Sequence, residues 1–253
     1  MRAWRKAADG GHAKAQADLG FCYFEGTGFA QDFVAAADWY AKSARQGYAP
    51  AQVTLGAFYN EGRGVPQDYR EAATWYAKAA AQGCDLAEVR LGHCFENGTG
   101  VAQDSKTAAE WYAKAAAQGH AEAQFNLGVF FENGTGVAQN FKTALEWYTK
   151  AAAQGLAAAQ VRLGYCFDIG AGVAQDHKAA AEWYAKAAAQ GDKDAQYNLG
   201  LCLGKGNGVN KDVALAEHWF RKAAAQGNAR ATDALALLLR ARAADAGTAR
   251  PRG

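Results

Sequence analysis

Apolar residues recur along this chain in two alternating patterns, each at helical spacing. Between 49 and 61, Ala51, Leu55, Gly56 and Tyr59 fall on one stripe. Between 69 and 82, Ala72, Trp75, Tyr76, Ala79 and Ala80 do the same. Spacings of three and four place each set on one face of an α-helix. Gly62-Arg-Gly64 interrupts the pattern, Val65 plugs the turn, and Asp68 is placed to cap the second helix, with Glu71 at capping-box distance. Gly47 and Gly83 end the helices before them as left-handed caps, and Pro50 suits a first helical turn. The pattern predicts a helix A over about 49–61 and a helix B from Asp68 to about Gln82.

The unit repeats. Leu19-Gly20, Leu55-Gly56, Leu91-Gly92, Leu127-Gly128, Leu163-Gly164 and Leu199-Gly200 stand 36 residues apart, and Trp39, Trp75, Trp111, Trp147, Trp183 and Trp219 keep the same step. A fixed period in the range of roughly 20–50 residues means stacked copies of one supersecondary unit. The fold class expected is all-α, a solenoid of 36-residue helix-turn-helix repeats. The glycine inside helix A costs about 1 kcal/mol against alanine. Its recurrence predicts close approach by the aromatic pair of helix B, where a Cβ would obstruct; each such ring buries about 150–250 Å².

In chain order, residues 1–11 read as the end of a helix B, with Trp4 at the tyrosine position. Six full pairs follow over about 12–227, and Asn228 caps a final helix to about 244. Residues 1–246 are therefore expected to form one array, with a disordered tail at 247–253. The chain opens within a repeat, which leaves room for an upstream segment carrying its own targeting signal. Leu235, Leu237, Leu238 and Leu239 give the last helix more apolar surface than one neighbour buries. Either that end meets a partner or a second copy of the chain, by self-association through the C-terminal helix, or the chain is cut there.

Composition narrows the function classes. Half of the residues are apolar and the net charge is +2 with both signs interleaved, so no basic stripe argues for nucleic acid. No apolar run is long enough for a membrane span, and the first residues form no signal-peptide core.

The residues that invite chemistry have plainer readings. Lys42, Lys78, Lys114, Lys150, Lys186 and Lys222 share one place near the end of helix B, where a cation suits the helix dipole. Cys22, Cys94, Cys166 and Cys202 occupy a position held elsewhere by Phe58 and Phe130, which makes it an apolar packing slot. Neighbouring repeats would hold those thiols roughly 8–10 Å apart, beyond the reach of a disulfide. Cys84 stands alone in a turn. No zinc spacing exists, so neither a metal nor a cofactor is expected, and a reducing, cytoplasmic compartment is favoured. Turns such as Gly98-Thr-Gly100 follow a helix and lack the lysine of a phosphate loop. Asn97-Gly-Thr99 and Asn133-Gly-Thr135 are formal glycosylation acceptors.

Leu-Gly-x-x-Tyr-x-x-Gly-x-Gly-Val-x-x-Asp, followed by Ala-x-x-Trp-Tyr-x-Lys-Ala-Ala-x-Gln-Gly, resembles the Sel1-like repeat, a tetratricopeptide-related family, over about residues 1–244. The resemblance implies a right-handed superhelix with A helices on the concave side, and a role as scaffold or adaptor in protein–protein interaction. A cysteine-rich branch of the family is linked to β-lactam binding and hydrolysis. Its paired cysteines are matched here by alanines such as Ala80 and Ala87, and no Ser-x-x-Lys motif of a β-lactamase is present. A non-enzymatic role is therefore expected.

Positions 50, 54, 57 and 61 of helix A change freely from copy to copy and share one face. The resemblance places that face in the groove. It carries Arg90 and His93, Asn126, Arg162 and Tyr165, Asn198 and Leu201, with Phe125 and Tyr197 beside it at position 53. In related tetratricopeptide domains, Asn and basic residues of this face clamp a peptide carboxylate. Arginine suits a carboxylate and asparagine an extended backbone. The expectation is a peptide or protein segment bound by apolar contact with Phe125, Tyr165, Tyr197 and Leu201 and oriented by the four polar residues.

Overall fold

The computed structural model describes residues 2–248 and, among them, fourteen α-helices and no strand. Two compact units divide the chain, Met1–Gln139 and Asn140–Gly253. The first holds α1 (Arg2–Asp9), α2 (Ala13–Glu25), α3 (Phe33–Arg45), α4 (Ala49–Glu61), α5 (Tyr69–Ala80), α6 (Asp85–Asn97), α7 (Ser105–Ala117) and α8 (Ala121–Asn133). The second holds α9 (Phe141–Ala153), α10 (Ala157–Ile169), α11 (His177–Ala189), α12 (Lys193–Lys205), α13 (Val213–Ala225) and α14 (Ala229–Thr248). The last helix runs past the expected end near 244. The tail beyond 248 lies outside the described residues.

Helix A forms over 49–61 as the pattern requires, and α5 stops two residues short of Gln82. Its end is finished by Gln82 N–H donating to Ala79 O at 3.1 Å and by Gly83 at φ +78°. Asp68 caps α5, its carboxylate accepting from the N–H groups of Arg70 and Glu71 at 2.9 and 3.1 Å. The reciprocal half of a capping box is not made, because Asp68 N–H already donates to Tyr59 O across the turn at 2.9 Å. Side-chain capping of this kind contributes about 1 kcal/mol per helix.

Within each unit, the glycine of helix A does what its recurrence requires. A β-carbon on Gly56 would lie 2.6 Å from Cε1 of Tyr76, on Gly92 2.6 Å from Tyr112, and on Gly164 2.8 Å from Tyr184. The tyrosine rather than the tryptophan fills that socket. Tyr112, Tyr148 and Tyr184 are fully buried. The tryptophans lie further out, each capped by the lysine three residues on: Nζ stands 3.6–3.9 Å from the ring centroid in five copies, and 4.9 Å for Lys222 on Trp219. These lysines thus make cation–π contacts as well as standing at the helix end. The second turn glycine has its own reason. A side chain on Gly64 would run into the Phe33 carbonyl, and one on Gly208 into that of His177, so repeats touch backbone to backbone there.

Within each unit, buried amides tie A helices to their neighbours. Gln52 donates to Ala44 O at 3.1 Å and accepts from Gln82 at 2.8 Å. In the second unit Gln160 and Gln196 repeat both bonds, with Ala152 O and Gln190, and with Ala188 O and Gln226. Glu88 occupies this place in α6, 4% exposed, and accepts from Gln118 at 2.8 Å. The cysteines of the shared slot are buried, and burial pushes the Cys202 thiol up to about 11.

Candidate partner-binding face

The side chains that vary between copies are borne by A helices whose opposite faces are fixed in the core. In the first unit, Arg90 and His93 of α6 line one pocket of about 370 Å³ with Asn60 and Glu61 of α4, Tyr76 of α5, and Asn97 and Thr99. Arg90 is exposed. His93 is half-buried at the centre of a network: Nε2 meets Glu122 Oε1 at 3.1 Å, and Nδ1 meets the Tyr112 hydroxyl at 2.8 Å. That hydroxyl donates to Glu96 Oε2 at 2.5 Å. Burial and the Glu96 carboxylate together push the Tyr112 phenol far above its ordinary range. His93 therefore joins α6, α7 and α8 and is less available to a visitor than its neighbour Arg90. Phe125 and Asn126 of α8 are half-buried and do not line this pocket; the Asn126 amide nitrogen is buried without a hydrogen-bond partner.

In the second unit the structure gathers Arg162 and Tyr165 of α10 with Tyr197 and Asn198 of α12 around a pocket of about 300 Å³. Tyr165 is 42% exposed. Val161, Asp194 and Arg230 complete the lining. The Arg230 guanidinium lies 4.7 Å over the Tyr197 ring, whose other contact is Phe220 at 6.0 Å between centroids. Leu201 packs against the apolar core and is not among the residues lining the pocket.

Sequence reasoning missed Arg230, Asp194 and Tyr76. Asp194 and Arg230 hold register position 50, which belongs to the variable face, and the register extends into α14. Tyr76 reads in sequence only as a core residue; nothing there announces where its hydroxyl ends. Among the described residues no cluster of three or more His, Cys, Asp or Glu is placed to hold a metal ion, and no helix is long and apolar enough to cross a membrane.

Helix pairs of this length, closed by a glycine socket and repeated in register, define an α/α repeat protein. The chain belongs to the Sel1 repeat family, whose repeat matches residues 13–48, 49–84, 85–120, 121–156, 157–192 and 193–228. It is similar to the Escherichia coli protein c5321, a protective antigen of uropathogenic strains with the same repeat fold. That likeness is 37% identity and a TM-score of 0.91 over 100% of this chain and 53% of the other. The present chain thus spans about half the length of that relative. It is also similar to a Sel1 repeat protein from Oxalobacter formigenes, 32% identical with a TM-score of 0.76, over 84% of this chain and 85% of the other. The Cut9–Hcn1 assembly of the APC/C shares the fold at 18% identity and a TM-score of 0.60, over 94% of this chain and 45% of that one. No curated protein matches the chain. Sel1 repeat solenoids are generally scaffolds for protein–protein interaction.

Proposed function

We propose that this protein is a non-enzymatic scaffold whose A-helix face binds a peptide or an extended segment of a partner protein. The observation that carries this reading is the cluster of Arg162, Tyr165, Tyr197, Asn198 and Arg230 around one pocket of the second unit. Tyrosine and arginine are the residue types that dominate binding energy at protein interfaces, and the rings lose little conformational freedom on contact. Asn198 can pair with an extended backbone, and the guanidinium groups favour acidic side chains along it.

Capture of a partner from native lysate by the full chain tests the reading. Arg162→Ala with Tyr165→Ala is expected to weaken the captured partner while leaving helicity unchanged; undiminished capture would remove the assignment. A second copy of the chain is a further partner in this proposal, because Leu237 and Leu239 of α14 are 65% and 39% exposed while Leu235 and Leu238 pack inward. Light scattering should show smaller particles after Leu237→Glu with Leu239→Glu, and an unchanged mass would end that part.

A further inference from the structure

We propose that the pocket between α4, α5 and α6 of the first unit receives a carboxylate, the side chain of an aspartate or glutamate in the bound segment, held by Arg90 and Tyr76. The proposal deepens the scaffold reading and rests on it. Several polar groups around this pocket are already engaged. Glu61 pairs with Arg63 at 2.8 Å, both His93 nitrogens have partners, and the Asn97 amide donates to His93 O at 3.0 Å. Arg90 makes no ion pair or hydrogen bond among the described residues. Tyr76, only 3% exposed, has no hydrogen bond for its hydroxyl. Among the described residues the polar atoms sealed from solvent without a partner are Trp75 Nε1 and Asn126 Nδ2; the Tyr76 hydroxyl is not one of them and opens onto the pocket, where a bound group can reach it.

The ring position shows where that hydroxyl goes. Cδ1 and Cε1 of Tyr76 rest on Gly56, and the ionisable neighbours acting on its hydroxyl are Arg90, Cys94 and Glu61, all three of which line the pocket. The next repeat supplies a comparison within the same unit. Tyr112 sits on Gly92 as Tyr76 sits on Gly56, and its hydroxyl is satisfied by the Glu96 carboxylate. Asn60 stands 36 residues before Glu96, so the first of these two repeats has an amide where the second has its own carboxylate. The largest charged influence on Tyr76 is the Arg90 cation, whereas on Tyr40, Tyr112 and Tyr184 it is the carboxylate of Asp18, Glu96 and Asp168. A carboxylate from a partner would restore at Tyr76 the bond that Glu96 makes at Tyr112. It would also gain a charge-assisted, bidentate contact with Arg90. The pocket volume, about 370 Å³, lies at the small end of ligand sites, about 300–1,000 Å³. One guanidinium beside Glu61 suits a monoanion better than a phosphate dianion.

The test is an NMR titration of the full chain with blocked aspartate (N-acetyl-aspartic acid amide), using blocked asparagine and inorganic phosphate as separate arms. The aspartate should shift the Arg90 Nε–H and Tyr76 ring signals saturably, and the asparagine should not. Arg90→Gln should abolish the response, and Tyr76→Phe should weaken it roughly tenfold. Because the hydroxyl has no partner in the folded chain, Tyr76→Phe should leave the thermal midpoint unchanged or raise it, which a structural role would not. No saturable shift, equal shifts with asparagine, tighter binding of phosphate, or a response surviving Arg90→Gln would each overturn the proposal. Capture that fails in the Arg162 and Tyr165 variant, alongside a silent aspartate titration, would sink the pocket alone. Aspartate binding with undiminished capture would instead sink the partner-face reading.

Discussion

Gly56 and Tyr76 approach so closely that a β-carbon on the glycine would stand 2.6 Å from the ring. The helix-interior glycine is thus a socket, and the rest of the repeat is assembled around it. Gly56→Ala should destabilise the protein by about 1–3 kcal/mol, the usual cost of overpacking, although alanine is the better helix former. Gly204 is the internal control: it also lies inside an A helix, but its nearest added contact is Ala216 Cβ at 3.7 Å. Gly204→Ala should be neutral or stabilise by up to about 1 kcal/mol. Urea midpoints of the two variants decide between a packing role and a propensity effect.

Glu88 interrupts the row of buried glutamines, and burial raises its carboxyl above the ordinary carboxylate range. A raised folded-state value means that the folded chain holds its proton more tightly than the unfolded one. Stability is therefore favoured below the unfolded value of about 4.3 and falls as pH rises through the folded value. Glu88→Gln restores the donor that Gln52 aims at Ala44 O. Its gain should be about 1 kcal/mol at pH 7.5 and should fade towards pH 4, when the native carboxyl is protonated and can donate in the same way. A gain of equal size at both pH values would contradict this account.

Lys114 lies 3.7 Å over the Trp111 ring, and the same pairing recurs through both units. A double-mutant cycle with Lys114→Met and Trp111→Leu should give a coupling of about 0.5–1 kcal/mol, in the range of exposed cation–π pairs. Near-zero coupling, with the full loss in Lys114→Met alone, would leave only the interaction of the cation with the end of α7.

How much of this was legible beforehand depended on reach. The A-helix limits, the left-handed glycine ends, the aspartate caps and the aromatic socket each follow from spacing within one repeat, and they could be read from residues such as Gly56, Gly62 and Asp68. The spacing did not reveal that tyrosine takes the socket while tryptophan pairs with lysine. Nor did it reveal the amide row at Gln52, whose partners are Ala44 of α3 and Gln82 in the turn after α5. For the proposed binding face, Arg90, Arg162, Tyr165, Tyr197 and Asn198 line the two pockets, whereas Leu201 is drawn to the core and His93 into a network with Glu122. Those outcomes are set by what lies one repeat away. Periodicity gives a residue its face and leaves open which neighbour meets it there.

The most direct test of the scaffold account is photo-crosslinking in cells from a reactive residue placed at Tyr165, on the A face, or at Glu182, exposed on α11. The account predicts a discrete partner adduct from position 165 that is absent from position 182. An adduct formed only from position 182 would contradict it.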